Sequence, residues 1–129
     1  MVCLDTDFLI EFDRQQPQAV SRMEQMAAKG EVIYTTIINV SEYYAGALKS
    51  KNNKSALRRA KDYLEDFSIL QLDEESALIW AGLYNELRAN QIGDRDLFIA
   101  SIALSNKQAL VTRNKKHFER VPGLEVEGW

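Results

Sequence analysis

Short apolar runs and helical stripes alternate along the chain. "MVCL" is a brief apolar run that ends at Asp5 and reads as a strand, and in "FLIEF" the spacing of Phe8, Leu9 and Phe12 predicts a helix directly after it. "QPQAVSRMEQMAAKG" places Pro17 at an opening turn, sets Val20, Met23, Met26 and Ala27 on one stripe, and stops at Gly30, so a second helix is expected. "EVIYTT" is β-branched and aromatic, the composition of a strand. "INVSEYYAGALKSK" offers Asn39 or Ser41 as the cap of a helix carrying Tyr44, Ala45 and Leu48.

The second half repeats the alternation. In "NKSALRRAKDYLEDF" the apolar residues Ala56, Leu57, Ala60, Tyr63, Leu64 and Phe67 recur at three and four, with charge between them, which predicts an amphipathic helix. "SILQL" reads as a strand. "DEESALIWAGLYNELRANQ" is a helix that opens with acids, turns Leu78, Ala81, Leu83 and Leu87 inward and closes with Arg88. "DLFIASIALSNK" is a helix, "ALVT" a strand, "RNKKHFER" a short helix or turn, and "LEVEGW" a last strand. Strands too short and too apolar to have a wet face, separated by helices, predict an α/β protein: three α/β/α layers around a central parallel sheet of about five strands, with residues 1–129 forming one domain.

Composition narrows the chemistry. With 46% apolar and 27% charged residues in 129, the chain has the make-up of an ordinary globular protein. Its one cysteine, Cys3, excludes an internal disulfide and in "VCLD" reads as a small buried hydrophobe. One cysteine and one histidine, His117, cannot build a zinc site of nitrogen and sulfur ligands, and any Ser-His-Asp triad would have to use His117. No leader with a cleavage site and no bilayer-length apolar run is present, so a cytoplasmic location is expected. The net charge of −3 argues against a protein that coats nucleic acid and leaves only local basic clusters for phosphate contacts.

In an open parallel sheet ligands bind beyond the carboxyl ends of the strands. The polar residues expected there are Asp5 after "VCL", Glu42 in the cap region after "VIYTT", Asp73 after "SILQL", Thr112 and Asn114 after "ALV", and Asp94 and Asp96 before "LFIAS". Helix capping explains Asp73, Thr36 and Ser41 without any further role. Asp5 and Glu42 lie in apolar company with no lysine or arginine nearby in sequence, which leaves a bound cation and a structural partner as equally open explanations. Residues two apart on a helix lie roughly 200° apart, so Asp94 and Asp96 cannot share a face. Asp96 shares the stripe of Ile99, Ala100 and Ala103 and is expected to point at the strand ends, whereas Asp94, after Gly93, is expected to cap from outside. Three converging acids would raise each other's pKa unless a divalent cation compensated them, and hard oxygen ligands favour Mg²⁺ or Mn²⁺ and phosphoryl-transfer chemistry.

Four segments, "VCLDTDFLI", "TTIINVSEYYAGA", "IGDRDLFIASIAL" and "ALVTRNKKHFERVPGLEVEGW", together resemble the PIN-domain ribonucleases, in particular the VapC toxins of toxin–antitoxin pairs. The resemblance runs in order along nearly the whole chain. It implies a PIN-like fold and a Mg²⁺- or Mn²⁺-dependent endoribonuclease that cleaves RNA, is restrained by a cognate antitoxin and forms a homodimer. Asp5, Glu42 and Asp96 would be the catalytic metal ligands, with Asn114 near the metal as the amide of the "TxN" element; Thr6, Thr112 and Asp94 would support them. Asp7 stands where the family pattern has asparagine, and His117 where relatives often carry an acid. Six basic residues between Lys49 and Lys61 read as a solvated face, whereas Arg113, Lys115 and Lys116 lie beside the expected site and are candidates for RNA contact.

Two other readings compete. A receiver-like Mg²⁺-binding signalling domain would make Asp73 the phosphoacceptor and Thr112 its switch residue, and would leave Glu42 and Asp96 without work. A PIN-fold binding module without catalysis would have no need of three acids.

Overall fold

The computed structural model describes residues 1–129. In chain order its elements are β1 (Val2–Leu4), α1 (Thr6–Asp13), α2 (Pro17–Ala28), β2 (Ile33–Thr36), α3 (Ile37–Ala47), α4 (Asn53–Leu64), β3 (Ser68–Leu70), α5 (Glu74–Glu86), α6 (Asp94–Ser105), β4 (Ala109–Val111), α7 (Lys115–Phe118) and β5 (Val126–Glu127). The five strands form one sheet in the order β3-β2-β1-β4-β5, and every neighbouring pair is parallel. The expected α/β/α architecture is the one observed.

Alternation along the central strands divides the core. Val2 and Leu4 of β1, with Ala109 and Val111 of β4, face a cluster that includes Phe8 and Leu9 of α1, Met26 of α2, Val40 of α3 and Leu64 of α4. Cys3 and Leu110 face the opposite cluster, built from Leu83 of α5, Leu97, Ile99 and Ala100 of α6, and Phe118 of α7. A one-residue shift of either strand would send each of these side chains into the wrong layer, which pins the register Cys3↔Leu110. Cys3 is fully buried, and that burial pushes its thiol well above the usual range, so it is the inert core residue its sequence setting predicts.

Several local expectations need correction. The N-cap of α3 is Thr36, not Asn39 or Ser41: the Thr36 side chain accepts from the Asn39 N–H, and the Asn39 side chain accepts from the Thr36 N–H, a reciprocal capping box. The start of the helix is thereby moved into the end of β2. At α6 the N-cap is Gly93, with φ of 95°, so Asp94 is the first helical residue and not an external cap. On α2, Ala27 is exposed and Ala19 is buried in its place. Gly30, at φ of 69°, closes that helix as expected: Glu31 N–H donates to the Met26 carbonyl and Gly30 N–H to that of Ala27, a Schellman ending.

The inward face of α5 also differs. Leu78 is 67% exposed and Ala81 is exposed, while Ser76, Ile79, Trp80, Leu83 and Leu87 turn inward. From Ala77 to Leu83 the segment has no charged or polar break, so periodicity could not phase it. A capping box between Asp73 and Ser76 sets the phase instead.

Candidate active site

Strand order reverses between β1 and β4, where the chain passes from the β1-β2-β3 half of the sheet to the β4-β5 half. Asp5 and Thr112 are the residues that follow these two strands, and the Asp5 N–H donates to the Val111 carbonyl at 3.0 Å, holding the two strand ends together.

Asp5 is the N-cap of α1 and is half-buried. Its Oδ1 accepts from the Thr6 N–H at 2.9 Å and from Asn39 Nδ2 at 3.0 Å, and its Oδ2 accepts from the Thr112 hydroxyl at 2.7 Å. Burial nevertheless pushes its carboxyl above the usual carboxylate range, opposed by the Thr112 and Thr6 hydrogen bonds and reinforced by the charges of Asp96 and Asp7. Asp5 has three donors but no ion-pair partner.

Glu42 lies on α3 and reaches the same crevice through Thr6, whose hydroxyl donates to its Oε1 at 2.7 Å. Its Oε2 stands 3.5 Å from Nη1 of Arg95. Asp96, on the first turn of α6, is close enough to raise the Asp5 carboxyl. Its Oδ2 is 2.9 Å from His117 Nε2, which also lies 2.7 Å from the Ile92 carbonyl, so one ring nitrogen serves two acceptors. Asp94 is exposed at the rim.

The remaining expected residues are placed as follows. The backbone N–H of Asn114 donates to Thr112 Oγ1 at 3.0 Å, and the Asn114 side chain is exposed without capping α7. Arg113 spreads its guanidinium 4.0 Å from the centre of the Trp129 ring, and Lys115 stands 3.9 Å from Glu119 on the exposed face of α7. Lys116 is exposed. Asp73 caps α5, where the Ser76 N–H and hydroxyl hold its carboxyl below the usual range.

Three contributors escaped the sequence reading. Asn39 was read only as a cap, although it lies three residues before Glu42 and so shares its helix face. Arg95 was visible inside "GDRD" as a cation flanked by two acids, yet only the fold brings it to Glu42. His117 read as a departure from the family pattern, with no sequence signal for its contact with Asp96.

Asp5, Glu42 and Asp96 do not form a ready-made cage: no group of three or more His, Cys, Asp or Glu side chains is gathered as metal ligands. The donor set still fits a hard divalent cation. All three groups are carboxylates, and Asp5, raised first by burial and then by the charges of Asp96 and Asp7, has no cationic partner, which is the imbalance a cation relieves.

Comparison with known proteins identifies the family and the fold. The family model described as "PIN domain" matches residues 2–124. The chain is 33% identical over 129 residues to "Ribonuclease VapC2" of Haemophilus influenzae, covering 98% of this chain and 96% of that protein. It is 32% identical over 129 residues to "Ribonuclease VapC1" of Methanocaldococcus jannaschii, covering 97% and 85%. Among solved structures it is similar to VapBC2 from Rickettsia felis bound to a promoter DNA fragment, with a TM-score of 0.88 at 28% identity, covering 100% of this chain and 99% of that one.

Proposed function

Since the chain belongs to the PIN-domain family, we propose that it is an endoribonuclease that hydrolyses RNA phosphodiesters with Mg²⁺ or Mn²⁺ and acts as the toxin of a toxin–antitoxin pair. The observation that carries this reading is the position of Asp5 at the reversal of strand order. There it is fixed by Thr112 just beyond β4 and linked through Thr6 to Glu42, with the charge of Asp96 beside it.

Asp5, Glu42 and Asp96 would hold the cation, which supplies a water of lowered pKa and positive charge against the scissile phosphate. The chain's own groups prepare this. Thr112 and Thr6 present Asp5 and Glu42 as oriented carboxylates, the low-reorganisation arrangement on which electrostatic catalysis depends. His117 steers Asp96 while anchored to the Ile92 carbonyl of the preceding loop. Lys116 and Lys115 on α7, with Arg113 before it, would offer cations to the RNA backbone. In-line attack would leave a 5′-phosphate and a 3′-hydroxyl.

A groove between α1, α3 and α4 runs to Glu42 and is lined by Ile10, Tyr43, Ala47, Ala56, Ala60 and the charged Asp13, Arg14 and Arg59. Its mixture of apolar and charged side chains suits an amphipathic segment of an antitoxin. Arg59 therefore faces a groove as well as solvent. A second copy of the chain is the other expected partner. No helix is long and apolar enough to cross a membrane.

The receiver-like alternative loses its phosphoacceptor: Asp73 follows the edge strand β3, two strands from β1, and its carboxylate is taken up by the α5 cap. The deciding experiment incubates the purified chain with total RNA in Mg²⁺, Mn²⁺ or chelator, beside the Asp96→Asn variant and with or without the co-expressed antitoxin. Metal-dependent cleavage that the variant loses and the antitoxin suppresses is expected; equal inactivity with every metal overturns the reading.

A further inference from the structure

The geometry points to Asn39 as a positioning residue that ties Asp5 to Glu42, an inference that rests on the ribonuclease reading of the same site. Asn39 is fully buried in the first turn of α3. Its two amide ends do different work. Oδ1 accepts from the Thr36 hydroxyl at 2.7 Å and from the Thr36 N–H at 3.4 Å, which is the capping function. Nδ2 has no part in the cap: it donates to Asp5 Oδ1 at 3.0 Å and to Thr6 Oγ1 at 2.9 Å.

The direction of the chain of bonds is fixed by counting protons. The Thr36 hydroxyl spends its hydrogen on Asn39 Oδ1, which leaves the Asn39 NH₂ pointing at Asp5 and Thr6, one hydrogen for each. Because Thr6 Oγ1 accepts from Asn39, its single hydrogen is free for Glu42 Oε1 at 2.7 Å. Asn39 thus orders two carboxylates from three elements: Asp5 at the end of β1, Thr6 on α1 and Glu42 one turn further along α3. A capping role alone needs only an acceptor at this position, and serine, glutamate or glutamine would provide it. A two-hydrogen donor is needed only on the side of the acids.

The test compares Asn39→Ala and Asn39→Ser with the unmodified chain and with Val40→Ala. Val40 is a buried neighbour that packs into the core with Val2 and Leu4 and bonds to none of the acids. Mn²⁺ affinity is measured by calorimetry, and kcat and KM on RNA separately. Removing a group that orients ligands costs typically about 10- to 100-fold in metal affinity or activity. Asn39→Ala is expected to weaken Mn²⁺ binding in that range and to lower kcat with KM for RNA unchanged. Asn39→Ser, which restores one donor, should recover part of the loss and gives the reading if the alanine variant does not fold. Val40→Ala should lose stability with Mn²⁺ affinity intact. Parental Mn²⁺ affinity in the folded Asn39 variants, or an equal loss in Val40→Ala, overturns the assignment while leaving the ribonuclease reading in place. An unmodified chain that neither binds Mn²⁺ nor cleaves RNA overturns both.

Discussion

The Thr112 hydroxyl donates to Asp5 Oδ2 at 2.7 Å, joining residues 107 positions apart in sequence where the order of the sheet reverses. The same Thr112 oxygen accepts from the Asn114 N–H at 3.0 Å, so one buried hydroxyl fixes both the carboxylate and the turn into α7.

Replacing Thr112 by the isosteric valine deletes this donor without opening a cavity. A buried polar group left unsatisfied costs about 1–3 kcal/mol, and thermal or urea unfolding should register a loss of that size. The Thr112 bond also opposes the rise of the Asp5 carboxyl, so NMR titration of that carboxyl in Thr112→Val should show it moved further upward. An unmoved titration would show that the bond is not formed in solution.

The raised Asp5 carboxyl makes a prediction about pH. The folded protein holds this proton more tightly than the unfolded chain does, so its contribution to stability falls as pH rises from the ordinary carboxylate range through the folded value. The destabilisation is fully present above the folded value and absent below the unfolded one. Asp5→Asn should therefore gain stability relative to the parent as pH rises through that window, although RNA cleavage is lost. The difference between the two urea curves across pH cancels the opposite slopes from Asp73 and Glu31, whose carboxyls are held low. A variant equally destabilised at every pH would show that the hydrogen bonds to the carboxylate outweigh its desolvation.

Asp96 and Asp94 should separate cleanly. Asp96→Asn is expected to abolish metal-dependent cleavage with folding preserved. Asp94, first in α6 and exposed, interacts only with the helix dipole, worth about 0.3–1 kcal/mol, so Asp94→Asn should change stability by no more than that and keep most activity. Equal loss of activity in folded forms of both would overturn the division.

This pair also shows how far the sequence could be read. Helical geometry put Asp96 on the face of Ile99, Ala100 and Ala103, all fully buried, and that needed no knowledge of the fold. Asp94 was misplaced by one position because a glycine at positive φ can end a turn with no side-chain signature, and capping rules look for a side chain. Thr112 and Asp5 could each be found at a strand end, but their hydrogen bond depends on strand order, which local pattern does not encode. Arg95 and His117 depend on it still more: each meets an acid brought by another element. The phase of α5 failed for a different reason, a run of apolar residues that fits several helical faces equally well.

Among the basic residues near the site, Lys116 and Arg113 should behave differently. Lys116 is exposed on α7 and free to follow a phosphate, so Lys116→Ala should lower the slope of log binding constant against log salt by roughly 1. Arg113 is drawn over Trp129 at 4.0 Å, and part of its value is that contact. Arg113→Ala should therefore cost some stability as well as RNA affinity. Fluorescence anisotropy with labelled RNA at several salt concentrations checks both, using a catalytically dead background. Unchanged slopes would remove α7 from the RNA path.

Arg95 carries the last prediction, because its position sets two tendencies against each other. Its side chain is 77% exposed and its Nη1 lies 3.5 Å from Glu42 Oε2, a pair worth less than about 1 kcal/mol, so Arg95→Ala should hardly change stability. Electrostatically, however, it is a positive charge resting on a carboxylate that the cation is proposed to use. Its removal should tighten Mn²⁺ binding, and more so at low salt, where exposed charges are least screened. RNA affinity should move the other way, since the crevice loses a cation that could turn outward to a phosphate once Glu42 is engaged. Calorimetry with Mn²⁺ alone and anisotropy with RNA separate the two effects. If both affinities fall together, Arg95 supports the fold of the site and does not compete for Glu42.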